Sequence, residues 1–167
     1  MKLILRICLL VLVGGGLLLL HSTERTETPA GIKSSDDIAV VVNARNDVSE
    51  LTLAELRKIL LGEKRFWPNR TPVMLILRQP GTRERDQVIS MLLNMSNSAF
   101  GQYWRDKVFR GEAPAVPLAV PSNGVVSQYV FDMPGGITFV AGKNLRPDLK
   151  VLKIDGKLPG QAGYALK

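Results

Sequence analysis

Residues 78–83 read Arg-Gln-Pro-Gly-Thr-Arg, and they are the part of this 167-residue sequence best equipped for chemistry. Two arginines, a glycine and a hydroxyl this close together are the makings of a site for a small oxyanion. The apolar run VMLIL at residues 73–77 precedes them and a helical pattern starts at Arg83, so the turn feeds a helix N-terminus. There the first backbone N–H groups have no intrahelical partner and together carry about half a unit of positive charge. Arg78, at the strand end, is placed to offer a two-pronged fork to two oxygens. Gly81 lets the main chain come close to an anion, and the Thr82 hydroxyl can cap the helix or donate to the anion. Arg83 adds charge. Asn43 ends an earlier apolar run and is expected at the same sheet end, because open α/β sheets bind ligands outside the carboxyl ends of their strands. The competing use of these residues is an ordinary strand–turn–helix junction, with Thr82 as cap and Arg78 paired to an acid.

Other chemistries find little to work with. One Cys and one His exclude a disulfide framework, a thiolate zinc site and most histidine acid–base arrangements. Asp36, Asp37 and Asp86 are acids without an identifiable carboxylate partner. A non-enzymatic binding domain without a cofactor is the expectation. Trp67 and Trp104 are expected to pack in the core or at its edge.

The elements that position the turn follow from pattern. Residues 38–42 (IAVVV) form a continuous β-branched run, suited to a strand buried on both faces. In TLAELRKILLG, residues 52–62, Thr52 and Glu55 make a capping box, the leucines and Ile59 form one face, and Gly62 ends the helix. Helices are expected at residues 83–94 and from Ser96 through Val108, then an extended proline-rich loop at residues 111–121. Ser122 begins a helix with Val125, Val126, Tyr129 and Val130 inward, and strands follow at residues 137–140 and 151–154. Alternation of strands and helices predicts an α/β domain with a mostly parallel or mixed sheet.

Charge is concentrated. Residues 57–110 hold eleven Lys and Arg against four acids, which accounts for the whole net charge of +7. Such a stretch attracts small anions, anionic lipid or nucleic acid, or serves as a solvated basic face. The arginines are not interleaved with aromatics as a strand-binding groove requires, so nucleic acid is not expected as a partner.

Residues 1–21 combine Lys2 and Arg6 with an apolar run to Leu20, the layout of a signal peptide or an N-terminal membrane anchor. Charge asymmetry puts everything after it outside the cytoplasm, periplasmic or at the cell surface. Residues 22–37 read as a polar tether and residues 38–160 as the folded domain.

The stretch VVVNARNDVSELTLAELRKILLGEKRFWPNRTPVMLILRQPGTRERDQVISMLL resembles the central part of phosphate-type solute-binding proteins of ABC transporters. Tyr103-Trp104, the segment from Val108 to Gly111, and Pro134-Gly135-Gly136-Ile137-Thr138-Phe139-Val140 resemble later pieces of that family in the same order. The resemblance covers residues 38–141. It implies one lobe of a periplasmic-binding-protein-like (type II) fold, with Arg78, Gly81 and Thr82 on the family's phosphate-binding arginine and Ser-Gly-Thr turn. Pro80 stands where the family has Ser, which removes a hydroxyl and an N–H, and the spacing from Arg78 to Gly81 is shorter. The expected role is extracytoplasmic binding of phosphate or another small oxyanion, linked to phosphate ABC transport through a membrane transporter or envelope protein. The alternative is a degenerate lobe that serves as a non-enzymatic interaction or sensor module of the cell envelope.

Overall fold

The computed structural model describes residues 35–167. The N-terminal segment, with Cys8 and His21, and all but the end of the tether lie outside the described residues.

The first apolar run becomes β1 (Ile38–Asn43), and each of its residues is buried. Pleating sends alternate side chains to opposite faces. Ile38, Val40 and Val42 therefore join one core, and Ala39 and Val41 a second. Such a strand requires cover on both sides, and the rest of the chain supplies it.

Three helices cover the larger core. Helix α1 (Leu53–Leu60) starts at a capping box in which the Thr52 hydroxyl accepts from the Glu55 N–H and the Glu55 carboxylate accepts from the Thr52 N–H. It contributes Leu56, Ile59 and Leu60; α2 (Arg83–Leu93) contributes Val88, Ile89 and Leu92; α3 (Asn97–Phe109), capped by Ser96, contributes Phe100 and Trp104. Helix α4 (Asn123–Asp132) alone covers the smaller core, with Val126 and Val130. Val125 and Tyr129, expected inward, are each 37% exposed. A helix resting on a sheet buries a narrow stripe, and those positions lie about 100° off it.

The sheet is mixed. Its spatial order is β4–β3–β5–β1–β6, where β3 is Met74–Arg78, β4 Leu118–Val120, β5 Gly136–Ala141 and β6 Leu149–Val151. Strand β3 runs parallel to β4 and β5, whereas β1 is antiparallel to both β5 and β6. The expected strand at residues 151–154 is broken at Leu152. Its first part ends β6, and β7 (Lys153–Ile154) pairs in parallel with β2 (Glu50–Leu51) in a separate ribbon. The expected loop at residues 111–121 contains β4, an edge strand too short to show a period and hemmed by Pro117 and Pro121. The core also runs past residue 160, where the sequence reading ends the domain: Tyr164 and Leu166 are fully covered, and Ile38 N–H donates to Leu166 O at 2.8 Å.

Gly135 fastens the entry to β5. Its carbonyl accepts from Met74 N–H at 2.9 Å and from the Trp67 indole at 3.0 Å, and an added Cβ would lie 1.9 Å from Pro72 O. Gly135→Ala is therefore expected to cost about 2–3 kcal/mol by overpacking. An unchanged urea midpoint would contradict that reading.

Tyr164 gives a pH dependence. Its hydroxyl donates to Ile38 O at 2.7 Å, and burial pushes its pKa well above the ordinary phenol range. The unfolded chain then loses this proton first, near pH 10. The contribution is complete below that pH and is lost as pH rises towards the folded-state value. Tyr164→Phe is expected to lower stability at neutral pH by about 1 kcal/mol. It should also flatten the alkaline decline, as thermal melts between neutral pH and pH 11 would show; an equally steep decline in the variant would count against the assignment.

Candidate functional site

Strands β3 and β4 run side by side with Arg78 opposite Val120, and each leads directly into a helix. Two helix N-termini, those of α2 and α4, consequently stand at one end of the sheet. The start of β1 lies at the same end, because Ile38 pairs with Ala141 at the finish of β5.

Arg78 ties the end of β3 to the start of α4. Its guanidinium donates through Nη1 to Asn123 Oδ1, on the first residue of α4, and through Nη2 to Pro121 O at 3.2 Å. Its Nε is buried and has no acceptor among the described residues. The expected acid partner of Arg78 is replaced by neutral acceptors.

The turn closes on itself. Gly81 takes φ +87°, a conformation that favours glycine, and a Cβ there would meet nothing within 4 Å, so the main chain is open to solvent on that side. Its N–H donates to Asp86 Oδ1 at 3.1 Å. The Thr82 hydroxyl donates to Gln79 O at 2.8 Å and leaves the helix uncapped. The helical ladder begins with Asp86 N–H to Thr82 O, so the N–H groups of Arg83, Glu84 and Arg85 have no acceptor among the described residues. These three N–H groups stand at the positive end of the α2 dipole, and two of the residues that carry them, Glu84 and Arg85, are nearly covered.

Arg83 is spent elsewhere. It donates to Asp36 O at 2.7 Å, and Lys143 pairs with the Asp36 carboxylate at 2.8 Å, holding that carboxyl below its usual range. Asn43 sits at the opposite end of the sheet, since β1 is antiparallel to β5 and the carboxyl end of β1 meets the start of β5. The assumption of a common strand direction put it beside Arg78. Asn43 instead donates to Val130 O and Phe131 O at 2.9 and 2.6 Å and accepts from Arg45 N–H at 2.9 Å, tying the end of α4 to β1.

Sequence reasoning missed the supports of the site. Arg85 is buried, donates to Arg78 O and Asn97 Oδ1 at 2.9 Å each, and lies 5.8 Å from the Phe100 ring centre; burial lowers its pKa. Asp86, for which the sequence offered no carboxylate partner, accepts from both Gly81 N–H and Asn97 Nδ2. An acid in the first turn of a helix after Gly-Thr is the signal that could have found it. Lys107, counted in the basic face, is buried and donates to Leu61 O at 2.7 Å beyond α1. Trp104 donates to Leu60 O at 3.1 Å and, like Trp67, is a core residue. No group of three or more metal-ligating side chains occurs among the described residues.

Removing Asn43 leaves two carbonyls without a donor. Asn43→Ala is expected to cost about 2 kcal/mol of stability while leaving any anion affinity of the folded protein unchanged. A loss of affinity without a loss of stability would return Asn43 to the site.

No protein-family model matches the sequence. Solved structures do resemble the fold. An ABC-type phosphate transport receptor from Vibrio cholerae superposes with a TM-score of 0.63 at 17% identity, over 80% of this chain and 54% of the other. PstS from Borrelia burgdorferi gives 0.62 at 18% identity, over 80% and 55%. A phosphate binding protein from Stenotrophomonas maltophilia gives 0.57 at 14% identity, over 77% and 42%. The chain thus spans about half the length of the structures it matches. With its open mixed sheet flanked by helices, the described part of the chain has the fold of one lobe of a phosphate-binding-protein-like (type II) receptor.

Proposed function

We propose that this domain is an extracytoplasmic solute-binding-like module that holds a small oxyanion, phosphate the candidate, at the N-terminus of α2. The observation that carries the reading is the trio of N–H groups at Arg83, Glu84 and Arg85 that have no acceptor among the described residues, standing at the carboxyl ends of parallel strands. The likeness to phosphate receptors supports it.

In this reading the main-chain N–H groups donate to the anion, and Arg78 supplies positive charge beside it while bracing α4. Asp86 works against the ligand, because its carboxylate lies in the same helix turn. A single lobe leaves the anion half exposed to water, so affinity is weak until a second body closes over it. That body would be a membrane transporter or another envelope protein, with residues 1–21 holding the domain at the membrane or directing its export.

A specific observation favours a second reading, an interaction or sensor module without a ligand. The Nη groups of Arg78 and the guanidinium of Arg83 already have protein acceptors, and Pro80 contributes no N–H.

Isothermal titration of the protein with phosphate separates the two. The oxyanion reading expects weak saturable binding. It expects Asp86→Asn to tighten this about two- to fivefold by removing a competing charge at the helix N-terminus. Arg78→Ala should weaken it about two- to fivefold by removing a nearby positive charge. A folded parent that takes up no phosphate would leave the interaction module.

A further inference from the structure

A groove lies at the other end of β3. Its walls include Val73 and Met74 at the start of that strand, whereas the anion site begins at Arg78. Along the strand the two are separated by about 13 Å. The groove encloses about 580 Å³, within the roughly 300–1,000 Å³ of small-molecule sites. Phe66, Met74, Val116 and Leu118 line it while remaining exposed, and Trp104 forms part of its wall.

Charge around the groove is one-sided. Lys64 and Arg65 are its ionisable lining residues, and no acid lines it. Lys64 is balanced by Glu55 at 2.7 Å. Arg65 is exposed, and its guanidinium has no ion pair or hydrogen bond among the described residues. An apolar trough with one uncompensated cation at its rim complements a molecule with an apolar body and a single anionic head.

The neighbouring edge argues against an extended peptide. Strand β4 is three residues long and is preceded by Pro117, which has no N–H to offer a ladder. We propose that this groove is a binding site for a small anionic amphiphile of the alkyl carboxylate class. The tail lies against Met74, Leu118 and Trp104, and the head meets Arg65. The site is separate from the oxyanion site and does not depend on it.

Octanoate is a suitable probe, used below its micelle concentration. The full chain would be held in nanodiscs of zwitterionic lipid, with empty discs as the blank. Saturable heat with a matching change in tryptophan emission is expected, together with weaker binding of octyltrimethylammonium. Val116→Asp, on an exposed loop where folding is not at stake, should abolish octanoate binding by placing a like charge in the mouth. Arg65→Gln should weaken octanoate about two- to fivefold and narrow the difference in affinity between the two probes. The proposal is overturned by an absence of saturable octanoate binding, by equal affinity for the two head groups, or by parent-like binding in Val116→Asp.

Discussion

A guanidinium taken out of water has to find acceptors where it is buried, and Arg85 finds them on β3 and α3. Its bonds to Arg78 O and Asn97 Oδ1 join the last residue of the strand, the first turn of α2 and the first residue of α3. Asp86, the next residue, holds Gly81 N–H and Asn97 Nδ2. Together these contacts set the course of the turn at residues 79–82. The direction of the free N–H groups at the start of α2 depends on this arrangement more than on any exposed side chain.

The same network explains how the site differs from a simple arginine-and-glycine loop. The residues with obvious anion chemistry, Arg78 and Arg83, act as braces: one reaches α4, the other the entry to β1. What remains for a ligand is mainly main chain. With the guanidinium groups of Arg78 and Arg83 engaged and Asp86 in the first turn, the start of α2 is modest in positive charge.

Much of the fold was legible in the sequence because local physics decided it. The β-branched run of β1, the Thr52–Glu55 capping box and the Ser96 and Ser122 caps each follow from residue type and spacing. Strand direction was not legible, since a run buried on both faces looks the same whichever way it runs. Asn43 was misplaced for that reason alone. The short strands β2, β4 and β7 depend on long-range pairing and carry no period of their own. In the site, Arg78, Gly81 and Thr82 were placed together by contiguity. The inward turn of Arg85 and Lys107 was hidden, because a buried cation and a solvated one have the same letter.

The central claim is that main-chain N–H groups at the start of α2 receive an oxyanion. Amide resonances followed during a phosphate titration test it most directly. The account predicts saturable shifts concentrated at Arg83, Glu84 and Arg85, with Gly81 and Thr82 following. Shifts confined to exposed lysine and arginine neighbourhoods, or none at the first turn of α2, would contradict it.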